Sequence, residues 1–392
     1  MTLYSSELGR GSCGLRLDRF GGQAWGCGSV RTHTDPERTR HLDFQCRNAV
    51  KRKGLLMSSQ VAEVVPPQSV REDETVAPLV FLYEHPQWFE PIFAELTRRG
   101  VRFDKTFIPD HFYDIGGAAP KFKVLFNRMS PSADSRDHGS GIFHTLAYLE
   151  HLELLGVRVL NGAKAFRYEI SKAAQHSLLR SLGIRFLPSR VIHAASQAVA
   201  AAEGLRYPII VKANIGGSGK GIVRFDTKEE LQRAVDQGQI DLGYDSIALV
   251  QEFVPARGGY ITRVETLGGK YLYAIHVHLT GETFDLCPAD ICQIKEVETF
   301  DNACVLEAAK SGLKVEGYTP PAEVIRNVER IMEAAGIDVG GIEYIVDDRD
   351  GEIYYYDVNA LSNFVADAPN VIGFNPFVNL ADFLEAEVAR AV

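Results

Sequence analysis

Between residues 78 and 160, short apolar segments typical of strands alternate along the chain with segments whose apolar residues have helical spacing. The short apolar runs LVFLYE, VRFDKTFI, KFKVLFNRM and VRVLN have the length and composition of strands. The segments PQWFEPIFAELTRRG and 142–155 have helical spacing, and Gly100 and Gly156 stand where a helix ends in the left-handed conformation. Because strands that alternate with helices favour a parallel sheet, the pattern predicts a small parallel α/β domain over residues 78–160.

The pattern becomes mixed after this region. Ser171 can cap a helix that ends at Gly183, and Thr227 with Glu230 has the spacing of a capping box before KEELQRAVDQ. The runs YPIIVKA and IVRFD predict a hairpin, and IALVQEFV, YITRVETLGG and KYLYAIHVHL predict antiparallel meanders. The helix PAEVIRNVERIMEAAG precedes a final hairpin, IEYIVDDRDGEIYYYDVN. Strands and helices without strict alternation indicate α+β architecture for residues 160–392.

Residues 1–77 lack both kinds of periodicity. Residues 1–56 are rich in Gly, Arg, Cys and Ser and carry a net charge of +5, whereas residues 58–77 are polar with a Pro pair. The sequence therefore predicts a disordered leader over residues 1–77. Two explanations are open: Met57 is the biological start, or the segment is an organelle transit peptide, against which its acidic residues count.

Composition narrows the class of protein. A chain of 392 residues with 45% hydrophobic residues can bury cores for two or three domains. We expect a cytoplasmic protein without a membrane segment, because no apolar run approaches about 18 residues and no secretory signal is present. The net charge of −9 argues against nucleic acid as a partner. The cysteines form no CxxC pair and indicate reduced thiols.

A glycine-rich connection, NIGGSGKG at residues 214–221, joins the two strands of the first hairpin. It matches neither the P-loop nor the GxGxxG fingerprint. Its glycines would let backbone N–H groups approach a polyphosphate, although a merely flexible hairpin tip is the alternative. Lys212 favours the phosphate interpretation, because a charge among the apolar residues of YPIIVKA needs an anion.

The final hairpin carries candidate metal ligands. Asp357 and Asn359 lie two apart on one strand and share a face, and the hairpin places Glu343 within a residue or two of the position opposite Asp357. Two carboxylates and an amide oxygen suit magnesium, whose octahedron substrate phosphates would complete. A solvated acidic surface is the alternative, and it suffices for the turn DDRDG.

With Lys172, Lys212, the glycine loop, the strand QEFV and the trio Glu343, Asp357 and Asn359 in this order, the chain resembles the ATP-grasp superfamily. Within it, the chain is most similar to carboxylate-amine ligases related to ribosomal-protein glutamate ligase and glutathione synthetase. The resemblance covers about residues 80–390. It implies an ATP-grasp fold of two α+β subdomains, 161–250 and 251–392, behind the small parallel domain.

The resemblance also implies roles for individual residues. Arg263 and Lys212 would be catalytic, and magnesium or manganese would bind Glu343, Asp357 and Asn359. ATP would contact two lysines, the loop and the adenine hinge: Lys172, Lys212, Gly216, Gly217, Ser218, Gly219, Gly221, Gln251, Glu252, Phe253 and Val254. Ser362 and Asn363, which follow the metal strand, would contact substrate.

The implied activity is ATP-dependent formation of an acyl phosphate from a carboxylate, followed by attack of an amine and release of ADP and phosphate. Its partners would be a small carboxylate and a small amine, and a homo-oligomer is left open. Two rivals remain: an ATP-grasp kinase that phosphorylates a hydroxyl, and a regulatory protein that binds ATP without turnover.

Three departures from the family concern the substrates. The family commonly has an acidic residue two before the catalytic arginine, where Ile261 stands here. The segment PARGGY offers no obvious ribose carboxylate, and residues 276–292 lack an arginine for a substrate carboxylate. Two interpretations are open for His276, His278, Cys287, Asp290 and Cys292. They could form a metal site, or the histidines could lie in the core and the cysteines could be buried thiols.

Overall fold

The computed structural model describes residues 76–85, 87–217, 219, 221–279 and 314–391. Residues 1–75 of the predicted leader, which include Met57, lie outside these ranges, as do the loop residue Ser218 and the trio Cys287, Asp290 and Cys292. The last two residues of the predicted leader, Val76 and Ala77, lie within them, and Ala77 is buried. Within the described ranges, no helix is long and apolar enough to cross a membrane.

The first sheet is parallel, as predicted, with the order β2-β1-β3-β4. Its strands and the two helices that connect them are β1 (Leu79–Tyr83), α1 (Glu90–Arg99), β2 (Phe103–Phe107), β3 (Val124–Arg128), α2 (Ser140–Leu154) and β4 (Arg158–Leu160). Helix α1 has Pro91 in its first turn and ends at Gly100, whose φ of 70° requires little strain without a Cβ. Because β1 and β3 are buried on both faces, their sequences are almost continuously apolar.

The second sheet is antiparallel, with the order β5-β8-β6-β7. The elements of this region are α3 (Ala163–Glu169), α4 (Lys172–Ser181), β5 (Ser189–Ile192), α5 (Ala198–Ala201), β6 (Ile209–Ala213), β7 (Val223–Phe225), α6 (Lys228–Asp236) and β8 (Ala248–Glu252). The predicted caps are confirmed, since Ser171 accepts from the N–H of Ala174 and Thr227 forms a capping box with Glu230. The prediction that IALVQEFV joins a meander with the next two strands is wrong, because β8 pairs with β5 and β6.

The third sheet has the order β11-β10-β9-β12-β13. The remaining elements are β9 (Tyr260–Leu267), β10 (Lys270–His278), β11 (Val315–Tyr318), α7 (Ala322–Ala335), β12 (Val339–Val346), β13 (Ile353–Asn359), α8 (Ala368–Ile372) and α9 (Pro376–Arg390). Strand β12 pairs antiparallel with both β9 and β13. Residues of three strands can therefore meet side by side across β12.

The C-terminal helix α9 packs against α1 of the parallel domain. Leu380 and Leu384 belong to the same hydrophobic core as Phe93 and Leu96. At the edge of this contact, Arg99 donates to Asp382 at 2.6 Å and to the Val378 carbonyl at 3.0 Å. The end of the chain thus returns to its first folded helix.

Asn161 joins the parallel domain to the third sheet at the end of β4. Its Oδ1 accepts from the N–H groups of Asp338 (2.8 Å) and Val339 (3.1 Å), and its Nδ2 donates to the carbonyls of Val339 and Ala360. The side chain is buried, and the backbone is left-handed with a φ of 50°. Asparagine tolerates this conformation better than most residues, so it suits the position on two grounds.

Candidate active site

A cavity of about 590 Å³ is lined by residues of both antiparallel sheets and of the parallel domain. On β6, Ile210 and Lys212 face it, and on β12, Glu343 and Ile345 face it. Alternate residues of a strand share a face, so each strand contributes one apolar and one charged position. The cavity therefore has apolar and charged wall positions supplied by the same two strands.

Most of the residues implied by the resemblance line this cavity. They are Lys172, Lys212, Gly216, Gly217, Gly219, Gln251, Glu252, Phe253, Val254, Arg263, Glu343, Asp357, Asn359 and Asn363. Gly221 and Ser362 are not among the lining residues. The structure thus brings together residues separated by almost two hundred positions in the chain.

A row of charges crosses the third sheet inside the cavity. Glu343 lies directly opposite Arg263 on one side and Asp357 on the other, which confirms the predicted pairing of the hairpin. Arg263 donates from Nη1 to Glu343 at 3.0 Å, and Lys172 donates from Nζ to Asp357 at 2.5 Å. Lys172 is therefore part of the site rather than an ordinary solvated lysine at a helix N-terminus.

These neighbours shift the ionisation of the row in different directions. Burial raises the pKa of Glu343 above its usual value, despite the opposing charge of Arg263. Burial would also raise the pKa of Asp357, but the charges of Lys172 and then Lys212 hold this pKa below its ordinary value. The Glu343 and Asp357 carboxyls thus differ in their readiness to carry charge, although they lie side by side.

The trio Glu343, Asp357 and Asn359 fits a magnesium ion. All three side chains line the cavity, and the buried Nδ2 of Asn359 has no hydrogen-bond partner among the described residues. No bond from this nitrogen therefore prevents the amide from turning its oxygen, the atom that ligates a cation, toward a bound ion. Two carboxylates and one amide oxygen are hard ligands, which magnesium prefers, and phosphate oxygens would supply the rest. Manganese accepts the same ligand types.

Lys212 is a buried cation without a protein anion to neutralise it. Its side chain is only 5% exposed, and no ion pair or hydrogen bond reaches it from the described part of the chain. Burial and the positive charge of Lys172 lower its pKa to about 7. An anion that enters the cavity would find in Lys212 a cation that lacks a partner.

The segment QEFV borders the cavity, and some of its polar groups form hydrogen bonds within the protein while others form none with the described residues. The Glu252 carboxylate accepts from the backbone N–H and the Nε of Arg206, at 3.0 and 3.2 Å. The N–H of Phe253 donates to Pro208. The N–H of Val254 and the buried Oε1 of Gln251 have no partner within the described residues.

The glycine loop lies next to the parallel domain. A Cβ on Gly217 would come within 3.8 Å of Ser132 and Pro131, whereas one on Gly216 would meet nothing within 4 Å. Gly219 and Gly221 have φ values of 69° and 73°, a region that other residues enter only with strain. The backbone thus requires glycine at the end of the loop, whereas a Cβ at Gly216 or Gly217 would fit within the protein's own space.

Two carboxylates of the site have no counterpart in the sequence prediction. Glu265 is 1% exposed and accepts from Arg263 Nε and Ser362 Oγ, each at 2.5 Å. The sequence did contain a signal for this contact, because Arg263 and Glu265 lie two apart on one strand and share a face. The family pattern instead led us to expect the acidic residue two positions before Arg263, where Ile261 stands. Ser362 is occupied by this contact, and Asn363 is the member of the predicted substrate pair that lines the cavity.

Glu169, the last residue of α3, is the second carboxylate of the site that the sequence prediction did not include. Its Oε2 accepts from the backbone N–H groups of Ala360 and, at 3.2 Å, of Leu361, and its side chain lines the cavity. Burial raises the pKa of Glu169 to about 7. No local pattern marks this residue, because its position depends on a segment almost two hundred residues away.

The parallel domain supplies Trp88, Ser130 and Ser132, which follow the carboxyl ends of β1 and β3. Ligands of parallel sheets bind at this edge. The two hydroxyls lie 2.9 Å apart. Sequence reasoning missed them because they form no motif.

His276 is half-buried and enclosed by aromatic side chains. It lies between the rings of Tyr260 and Tyr318, at 4.0 and 3.9 Å between centroids, and Thr262 bonds its Nδ1 at 3.0 Å. His278 pairs with Glu316. Within the described ranges, no three His, Cys, Asp or Glu side chains cluster so that they could hold a metal ion without an amide ligand, and neither histidine belongs to such a group.

Comparisons with known proteins relate this geometry to a family. Residues 171–253 match the family described as carbamoyl-phosphate synthase L chain, ATP binding domain. A D-alanine–D-alanine ligase of Geobacter sulfurreducens is 25% identical over 224 residues, which are 55% of this chain and 62% of that ligase. The chain thus spans less than two thirds of this relative.

Solved structures share the fold at low identity. The ATP-grasp ligase PsnB, in complex with a variant precursor, magnesium and ADP, matches with a TM-score of 0.57 at 15% identity, over 80% of this chain and 99% of that one. A RimK domain ATP-grasp protein from Sphaerobacter thermophilus matches with a TM-score of 0.54 at 18% identity, over 81% and 99%. At such identities the likeness establishes the fold.

Proposed function

We propose that this chain is a cytosolic, magnesium-dependent carboxylate-amine ligase of the ATP-grasp type, which binds ATP in this cavity and releases ADP and phosphate. One observation carries the proposal. The unpaired Lys212, the glycine loop and the row of Arg263, Glu343 and Asp357 line one cavity. That combination suits a polyphosphate with its metal ion better than an uncharged ligand.

ATP would lie along the cavity from an apolar end to a charged end. We place adenine against Ile210 and Ile345, where the free N–H of Val254 can donate to a ring nitrogen. The phosphates would then reach Lys212, with Lys172 and the glycine loop beside them. Magnesium on Glu343, Asp357 and Asn359 would neutralise charge on the phosphate oxygens.

The chemistry needs activation because a carboxylate is a poor electrophile. Transfer of the γ-phosphoryl group to the carboxylate forms an acyl phosphate and ADP. The amine then attacks the carbonyl carbon, so that a C–N bond forms, the C–O bond to phosphate breaks and the nitrogen loses a proton. Lys212 and Arg263 offset the negative charge that shifts during these steps, and the glycine loop keeps water out.

Asp357→Asn tests the assignment of the metal site. Loss of one charge from the ligand set should lower magnesium-dependent ADP release by roughly two orders of magnitude or more. ADP is measured by a coupled assay with ATP, magnesium and a pool of D- and L-amino acids, chosen because relatives carry the name D-alanine–D-alanine ligase. Unchanged turnover would refute the assignment.

Asp348→Asn is the matched control. Asp348 lies in the turn of the same hairpin and its side chain is 64% exposed, so its ADP release should equal that of the wild type. The mass of the product separates the rivals of the ligase. An amide identifies a ligase, a phosphorylated hydroxyl identifies a kinase, and tight ATP binding without turnover identifies a regulatory protein.

A further inference from the structure

Glu169 is a cavity-lining carboxylate with one free oxygen. Its side chain is 6% exposed, and both of its hydrogen bonds, from the N–H groups of Ala360 and Leu361, go to Oε2. Among the described residues, no donor reaches Oε1. Because Glu169 lines the cavity, a ligand there can reach this oxygen.

The other carboxylates of the cavity have cationic partners. The pairs are Glu343 with Arg263, Asp357 with Lys172, Glu265 with Arg263, Glu252 with Arg206 and Asp226 with Arg224. Glu169 differs from all of them, because its bonds come from uncharged backbone groups. A buried carboxylate with an open oxygen favours a ligand that brings a donor with positive charge.

The location of Glu169 indicates which ligand would supply the positively charged donor. The residue bonds the segment from Asn359 to Asn363, which begins at the last of the proposed metal ligands and includes the predicted substrate residues. Two cations lie near it, but neither bonds its Oε1: Lys172 is held by Asp357, and Arg128 donates through Nη2 to the Ser362 carbonyl and the Asn363 side chain, while its Nη1 bonds none of the described residues. A donor on the second substrate can therefore reach Oε1 without displacing a protein group.

We propose that Glu169 binds the amino group of the acceptor amine through Oε1 and so selects an ammonium-bearing substrate. The inference rests on the proposed ligase function. An α-amino group has an ordinary pKa of about 7.7–8.0, so such an acceptor arrives largely as a cation. A charge-assisted hydrogen bond from that cation to Oε1 would orient its nitrogen toward the acyl phosphate. The ammonium must pass one proton to Oε1 before its nitrogen has a lone pair for the attack, and the second proton leaves as the amide forms.

Glu169→Gln tests this role with the full chain, ATP, magnesium and the pool of D- and L-amino acids. Glutamine keeps an oxygen for the two backbone N–H groups but loses the negative charge. Two products are measured in parallel: amides by mass, and hydroxamates formed when hydroxylamine traps the acyl phosphate. Hydroxylamine is small and largely uncharged near neutral pH, so it needs no anchoring carboxylate.

We expect amide formation to fall roughly 10- to 100-fold, with a higher amine KM, while hydroxamate formation stays within about twofold of the wild type. Equal loss of both products would overturn the proposal, because it would mean that Glu169 only supports the metal strand. Unchanged amide formation would also overturn it. If the wild type forms neither ADP nor hydroxamate, the ligase function itself fails, which is a different result.

Glu153→Gln is the matched control for the substitution. Glu153 also accepts a backbone hydrogen bond, from Ala163 at 2.8 Å, but it does not line this cavity. Both products should form at wild-type levels in this variant. A fall in amide alone in Glu153→Gln would show that the effect is not specific to the cavity.

Discussion

Lys212 combines two properties that seldom occur in one residue: it is buried, and no carboxylate of the described residues forms an ion pair with it. Folding therefore costs free energy at this position, and the cost falls when the amine is neutral. The unfolded chain binds the proton up to a pKa of about 10.5 and the folded chain up to about 7. Between these values the unfolded state holds more protons, so the Lys212 contribution to stability rises with pH across this window.

ATP should reverse this balance, because a polyphosphate stabilises the ammonium form. At about pH 8 we expect ATP binding to take up a proton at Lys212 and ATP affinity to weaken as pH rises further. Calorimetry in buffers of different ionisation enthalpy measures the uptake. Lys212→Met should bind more weakly and abolish it. An equal proton uptake in the variant would contradict the assignment to Lys212.

Sequence reasoning could identify Lys212, because a charge within an apolar strand is visible without coordinates. It could not identify Glu169 or the paired state of Lys172. Both depend on contacts with β13 and the residues that follow it, more than 180 positions along the chain. Local patterns carry no information about such contacts.

At the scale of secondary-structure elements, the two hairpins that form the site differ in what determines their conformation. The short turn between β12 and β13 made it predictable that Glu343 lies near Asp357. Their direct pairing depends on a bulge at Tyr356, which the sequence did not reveal. The glycine loop depends on backbone conformations near its end, where Gly221 is left-handed. Strand β8 was placed wrongly because the partners of a central strand are set by tertiary packing rather than by its own sequence.

Gly221→Ala should test the loop as an element. A side chain at positive φ costs about 1–2 kcal/mol, and the strain should also misalign the loop and weaken ATP binding several-fold. Gly238 is the control, since it has a similar φ of 66° and, like Gly221, no atom within 4 Å of an added Cβ. Gly238→Ala should lose similar stability in urea unfolding but keep its ATP affinity. Equal affinities for both variants would argue against a role of the loop.

At the scale of the whole molecule, the parallel domain and the third sheet are joined at several points. Asn161 bonds three residues of the third sheet and its exit segment, and α9 packs on α1. Arg158 adds ion pairs to Asp338 and Glu387. These contacts hold Trp88 and Ser132 beside the cavity, so the site needs the complete arrangement.

Asn161→Ala should therefore destabilise the protein far more than an average substitution. It leaves buried N–H and carbonyl groups of Asp338, Val339 and Ala360 without partners, at a cost of roughly 3 kcal/mol or more. Urea unfolding followed by circular dichroism measures this loss. Asn370→Ala, which removes only a contact with the nearby exposed Asp367, should cost less than about 0.5 kcal/mol. A small loss in Asn161→Ala would show that the two regions are not coupled there.

The row formed by Arg263, Glu343 and Asp357 has a consequence for the history of such a chain. Removing one member of a buried pair strands its partner's charge, typically at a cost of about 3–5 kcal/mol. A lineage that lost Asp357 would leave Lys172 without its carboxylate, and a lineage that lost Glu343 would leave Arg263 with Glu265 as its one ion-pair partner among the described residues. A single substitution in this row is therefore strongly destabilising, so these positions should be retained together or lost together during evolution.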